Sequence, residues 1–88
     1  MLDLLGEIAK LRIREGLANE LVRSATEHLE HLHRGLASRD PFEQERAAGK
    51  IPAAEIEVRK WRKAASDYVL RRELYEAELR DSMRVLTA

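Results

Sequence analysis

The chain contains no cysteine among its 88 residues, so neither a disulfide nor a thiolate metal site can stabilise it. Aromatic residues make up only 5% of the chain, and proline occurs twice, at Pro41 and Pro52. No apolar run approaches the length that a transmembrane helix requires. These absences exclude a disulfide-rich fold, and the short chain supports one domain with a small core.

The chain also has no net charge, because 16 basic residues balance 16 acidic ones. No overall charge therefore attracts it to nucleic acid or to an anionic membrane. The N-terminal residues lack a basic segment followed by an apolar stretch, so we expect no signal peptide and a cytoplasmic location.

What the chain does contain is a high proportion of helix-forming residues, with charged residues at 36%. Two long segments, 3–36 and 52–87, place apolar side chains alternately four and three positions apart, which is typical of a coiled coil. In the first segment these positions are Leu4, Ile8, Leu11, Glu15, Ala18, Val22, Ala25, Leu29, Leu32 and Leu36. In the second they are Ala54, Val58, Trp61, Ala65, Tyr68, Arg72, Tyr75, Leu79, Ser82 and Leu86.

The intervening segment, 37–51, reads as a tip that contains a short helix. Asp40 is a good N-cap and Pro41 suits the first helical position, which predicts a helix over 41–48. Gly49 should end or bend that helix, and Pro52 fits the first turn of the next one.

These patterns predict an all-α fold: an antiparallel coiled-coil hairpin of two long helices with a short helix in the connecting tip. The whole chain, 1–88, forms one helical domain. The predicted register pairs positions whose numbers add to 90, so that Leu29 faces Trp61.

Apolar residues outside the two seams exceed what a single hairpin can bury. We therefore predict self-association, most simply a homodimer that completes a helical bundle. The alternative is that the tip, 37–51, folds back and covers part of this surface. The residues predicted to form the oligomer interface are Ile13, Leu17, Leu21, Leu70, Leu74 and Ala77.

Polar residues interrupt the seams in adjacent layers at Glu15, Arg72 and Tyr75. Arg72 can pair with the Glu15 carboxylate, and the Tyr75 hydroxyl can donate to the same group. Such a polar core cluster is expected to set the helix register. A ligand site, or side chains that simply extend to solvent, are the alternatives.

Two further constellations suggest other functions. Glu27, Glu30, His31 and His33 include the Glu-x-x-His spacing of carboxylate-bridged metal bundles, although a solvated helix face has the same pattern. Arg59, Arg62 and Lys63 flank Trp61 and would suit phosphate groups, although acidic neighbours make a solvated face or salt bridges to a partner an alternative.

The stretch Arg46-Ala47-Ala48-Gly49-Lys50-Ile51-Pro52-Ala53-Ala54-Glu55-Ile56, followed by a long helix, resembles the tip-and-helix pattern of TolC-like outer-membrane efflux proteins and periplasmic efflux adaptors. The stretch 12–21 is similar to the same pattern. The resemblance implies a structural hairpin that docks through its tip, here residues 40–52. This chain departs from those families because it lacks their β-strand segments and barrel.

The sequence offers no Gly-rich phosphate loop and no Ser/His/Asp arrangement. A seam between two helices also leaves little room for a substrate cavity. We therefore expect a non-enzymatic interaction or assembly module without a cofactor, which presents its tip or an Arg-rich face to a protein partner. A small metal-binding protein and a nucleic-acid-binding regulator remain the alternatives.

Overall fold

The computed structural model describes residues 3–87, which form two long helices packed against each other. Helix α1 spans Leu4–Leu36 and helix α2 spans Pro41–Thr87, with residues 37–40 as the connection. No strand occurs within residues 3–87, and the backbone measures 70 × 18 × 14 Å. The predicted all-α helical hairpin is confirmed.

Helix α1 begins and ends close to the predicted bounds because its caps are encoded locally. The Asp3 carboxylate accepts a hydrogen bond of 3.2 Å from the Gly6 N–H, which satisfies one of the free donors of the first turn. His33 and Arg34 occupy the last turn, where the helix dipole favours positive charge. The Ala37 N–H closes the helix by donating to the Arg34 carbonyl at 3.1 Å.

Helix α2 begins where Asp40 and Pro41 predict a helix start, but it does not stop at the predicted place. The Asp40 carboxylate accepts from the Phe42 N–H at 3.0 Å, and the helix then continues without a break through Gly49 and Pro52. The predictions of a separate short helix at 41–48 and of a second long helix that starts at residue 52 were therefore wrong.

Packing explains why the helix continues through these two residues. Ala47 and Ala54 are buried and Ile51 is half-buried, so the seam extends through the segment that was predicted as a tip. Pro52 is exposed, and so is Ala48, whose carbonyl loses its N–H partner at Pro52. Because Ala48 lies on the exposed side of α2, we expect water to replace the lost partner, which limits the energetic penalty of the proline.

The shorter connection changes the register by about one heptad. A Cβ placed on Gly35 would lie 2.9 Å from the Cβ of Ala47, so these residues are neighbours, and their numbers add to 82 rather than 90. Trp61 lines a groove with Leu21 and Ala25, so the predicted pairing of Trp61 with Leu29 was wrong. Most of the predicted seam residues are buried or half-buried, whereas Leu36, Ser82 and Leu86 are exposed, and α2 is displaced along α1.

The core is narrow and runs along the length of the hairpin. It consists of seam residues, of which Leu11 is the largest fully buried side chain, at 2% exposure. Three of its members are alanines, and small side chains let two helices approach closely. The buried residues are Ile8, Leu11, Ala18, Leu32, Ala47, Ala54 and Val58.

Candidate interaction site

The two helices leave two long faces of different chemistry. We define the groove face as the side that carries two shallow grooves between α1 and α2. One groove is lined by residues that include His31, Gly35, Glu43, Arg46 and Lys50, and the other by residues that include Leu21, Ser24, His28, Glu57 and Trp61. The opposite side, the ion-pair face, carries Arg12, Glu15, Arg72 and Glu76.

The ion-pair face holds a network of charged side chains that connects the helices. Arg72 donates from Nε to Glu15 at 2.8 Å and from Nη1 to Glu76 at 3.1 Å. Arg12 donates from Nη2 to the same Glu76 carboxylate at 3.0 Å. The side chains of Arg72 and Glu15 are only about a fifth exposed, so this network is screened less than a surface pair.

The network shifts the protonation equilibria of its central members. Hydrogen bonds from Arg12 and then from Arg72 lower the pKa of Glu76, because both stabilise the charged carboxylate. Hydrogen bonds to Glu15 and then to Glu76 raise the pKa of the Arg72 guanidinium. The positive charges of two arginines balance the negative charges of two glutamates here. The network therefore connects the two helices and contains no unpaired charged group.

The structure brings Glu15 and Arg72 together, as the sequence suggested, but it does not include Tyr75 in the cluster. Tyr75 is half-buried and its hydroxyl has no hydrogen bond within residues 3–87. Sequence reasoning missed Glu76 and Arg12. The signal for Glu76 was its i,i+4 spacing from Arg72, whereas Arg12 could be found only from the true register.

Five of the six residues predicted to form the oligomer interface are exposed in the single chain. Exposure reaches 66% for Ile13, 61% for Leu17 and 67% for Leu74. Leu21 and Leu70 are also exposed, and Ala77 is half-buried. The connection 37–40 is too short to cover these residues, so the alternative of a tip that folds back does not apply.

Leu17, Leu21 and Leu74 occupy heptad positions on or beside the groove face. Ile13, Leu70 and Ala77 occupy the outer backs of the two helices.

The alternative metal ligands are not brought together. Glu27, Glu30, His31 and His33 are exposed and distributed around α1. Within residues 3–87, no three His, Asp or Glu side chains lie close enough to share an ion. A metal site in the single chain is therefore not formed by these residues.

The alternative nucleic-acid residues Arg59, Arg62 and Lys63 are all exposed on α2. The nearby indole is not a free stacking surface. Trp61 is half-buried, its Nε1–H donates to Glu57 at 3.0 Å, and the Lys60 ammonium lies 4.9 Å from its ring centroid.

The predicted docking tip, 40–52, now forms the first turns of α2 and its N-cap. Phe42 is 75% exposed there and borders a shallow depression with Arg46, Gly49 and Lys50. An exposed aromatic beside cationic side chains gives this end of the hairpin a second surface suited to protein contact.

Comparisons with protein-family models, curated proteins and solved structures find no match to this chain. The resemblance to efflux-protein hairpins therefore stays a prediction. Neither described helix has an apolar stretch of the length that crossing a membrane requires.

Proposed function

We propose that this chain is a non-enzymatic helical assembly module that associates with a second copy of itself through its exposed apolar stripe. The stripe comprises Leu17, Leu21 and Leu74, on or beside the groove face, whereas the other predicted interface residues, Ile13, Leu70 and Ala77, lie on the outer backs of the helices. We further propose that another protein partner docks at the Phe42 end or along the Arg-rich side of α2. We also propose that the protein acts in the cytoplasm.

The observation that carries the proposal is the exposure of large apolar side chains on a hairpin whose own core is narrow. Leu17 and Leu74 are each more than half exposed although they lie well inside long helices. Burying side chains of this size contributes about 1.5–3 kcal/mol each when they leave water completely. Contact with a second hairpin supplies that burial, which a two-helix core cannot.

Leu74→Glu tests the proposal because it places a charge on the stripe without touching the buried seam. We expect sedimentation equilibrium to show weaker self-association, by about 2 kcal/mol in dimerisation free energy, because the substitution removes apolar burial and adds a charge that must be desolvated. Circular dichroism should show almost unchanged helicity.

Ile56→Glu is the matched control. Ile56 is also exposed on α2, at 57%, but it shares the outer back of α2 with Leu70, away from the groove face, so this variant should associate as the wild type does. A wild-type chain that sediments as a monomer at hundreds of micromolar would contradict the proposal. Equal loss of helicity and association in Leu74→Glu would show instead that Leu74 belongs to the core of the chain.

A further inference from the structure

The groove face of α2 carries two rows of residues spaced seven apart, and most of them are charged. The charged members are all exposed, and none of them forms an ion pair within residues 3–87. The row nearer α1 is Glu43, Lys50, Glu57, Ala64, Arg71, Glu78 and Val85, and the row beside it is Arg46, Ala53, Lys60, Asp67, Leu74 and Asp81. The charged network on the ion-pair face, by contrast, is already satisfied within the chain.

We propose that the second copy lies antiparallel on the groove face, with a two-fold axis close to Ala64. The connection 37–40 of one hairpin then lies beside the opposite end of the other hairpin. The inference rests on the proposed self-association and specifies how the two hairpins meet. In an antiparallel pair of helices, residues on the same side of each helix face each other at equal distances from the axis. Ala64 is half-buried and small, so two α2 helices can approach closely at that point.

The inner row is centred on Ala64 and the outer row within half a residue of it, and every charged position in both rows except Glu43, which faces Val85, meets the opposite charge. Lys50 faces Glu78 of the second copy, and Glu57 faces Arg71 of the second copy. In the outer row, Arg46 faces Asp81 of the second copy and Lys60 faces Asp67 of the second copy. The two-fold axis repeats each of these pairs, and such a pattern favours one register and direction over others.

Apolar residues of both helices meet near the middle of the same arrangement. Ala53 faces Leu74 of the second copy. Leu17 and Leu21 lie in neighbouring rows of α1, on either side of residue 19, so they cluster about the axis with the same residues of the second copy. Residues 19 and 64 add to 83, close to the sum of 82 for the neighbours Gly35 and Ala47, so this leucine cluster lies at the level of the axis that the charges of α2 define.

The available area is sufficient for a stable dimer. The overlap from about residue 43 to residue 85 is roughly 60 Å long at 1.5 Å per residue. With the lateral width of 18 Å, the shared face covers about 1,000 Å² on each hairpin, above the roughly 800 Å² per partner of a standard interface.

A parallel dimer with tip beside tip places like charges together. It stacks α2 on α1 of the second copy, which brings Arg71 near Arg14 and Glu78 near Glu7. The antiparallel arrangement on the groove face combines leucine contacts with opposite charges.

Exchange of charges tests the arrangement. Lys50→Glu and Glu78→Lys should each weaken dimerisation about tenfold, because each creates like-charge contacts at two symmetric positions. A mixture of the two single variants should form heterodimers with wild-type affinity, and the double variant should regain the wild-type homodimer. Sedimentation equilibrium at low salt measures each case, with Glu55→Lys on the opposite side of α2 as the control.

The outcomes separate this inference from the proposed function. Weakened single variants with recovery in the mixture and in the double variant support the antiparallel groove-face dimer. A wild-type dimer that neither single variant weakens, or that the mixture fails to restore, overturns this arrangement while self-association stands. A monomeric wild-type chain overturns both.

Discussion

At the scale of single residues, Arg72 shows both what the sequence could reveal and what it could not. A polar residue in each seam, at Glu15 and Arg72, predicts an ion pair between helices, and the structure places these groups 2.8 Å apart. The participation of Glu76 and Arg12 depends on the register, because Arg12 lies on the other helix. Tyr75 was expected to join on the basis of a register one heptad away.

The network predicts a pH dependence of stability. The pKa of Glu76 is lowered in the folded chain, chiefly by Arg12, so its contribution is complete above the ordinary glutamate value of about 4.3 and is lost as the pH falls through the lowered value. The melting temperature should therefore decrease between about pH 5 and pH 2. Thermal unfolding followed by circular dichroism measures this decrease.

Glu76→Gln should make the decrease in melting temperature at acid pH smaller, because the glutamine amide does not ionise. Glu73→Gln is the control, because Glu73 is exposed and forms no ion pair within the described residues. An identical decrease in melting temperature at acid pH in Glu76→Gln and the wild type would show that Glu76 does not contribute to the pH dependence.

At the scale of elements, the helical segments could be predicted from heptad spacing, but the end of the connection could not. Gly49 and Pro52 are common at helix boundaries, and local propensity therefore predicted a break. The seam residues Ala47 and Ile51 have the spacing that continues the helix, and their packing on α1 outweighed the local signals. Because the connection is only residues 37–40, the register moved with it.

An unbroken α2 predicts that Pro52→Ala stabilises the chain. Proline inside a helix is about 3 kcal/mol less favourable than alanine, and solvent access at Ala48 reduces that difference, so we expect a gain of about 1–2 kcal/mol in unfolding free energy. Urea unfolding measures the gain. Pro41→Ala, at the first position of α2, should bring little change, because proline is favourable there. Loss of stability in Pro52→Ala would argue that a helix starts at this residue.

At the scale of the whole molecule, the sequence predicted an all-α hairpin because two segments repeat one apolar spacing over many turns. The amount of exposed apolar surface was also evident, since Ile13, Leu17 and Leu74 lie outside the seams. The division into a groove face and an ion-pair face could not be predicted from the sequence, because it requires knowing which charges pair within the chain. Only after Arg12, Glu15 and Glu76 are assigned does the unpaired charge pattern of α2 become apparent.

In the proposed assembly, a second, antiparallel copy covers the groove face. The chain has no native cysteine, so a single Ala64→Cys substitution reports directly on the proposed axis. Under mild oxidation we expect rapid formation of a disulfide-linked dimer of about twice 10.1 kDa, whereas Ser66→Cys, an exposed position away from that face, should remain mostly monomeric on a non-reducing gel. Equal cross-linking of both variants, or of neither, would contradict the account.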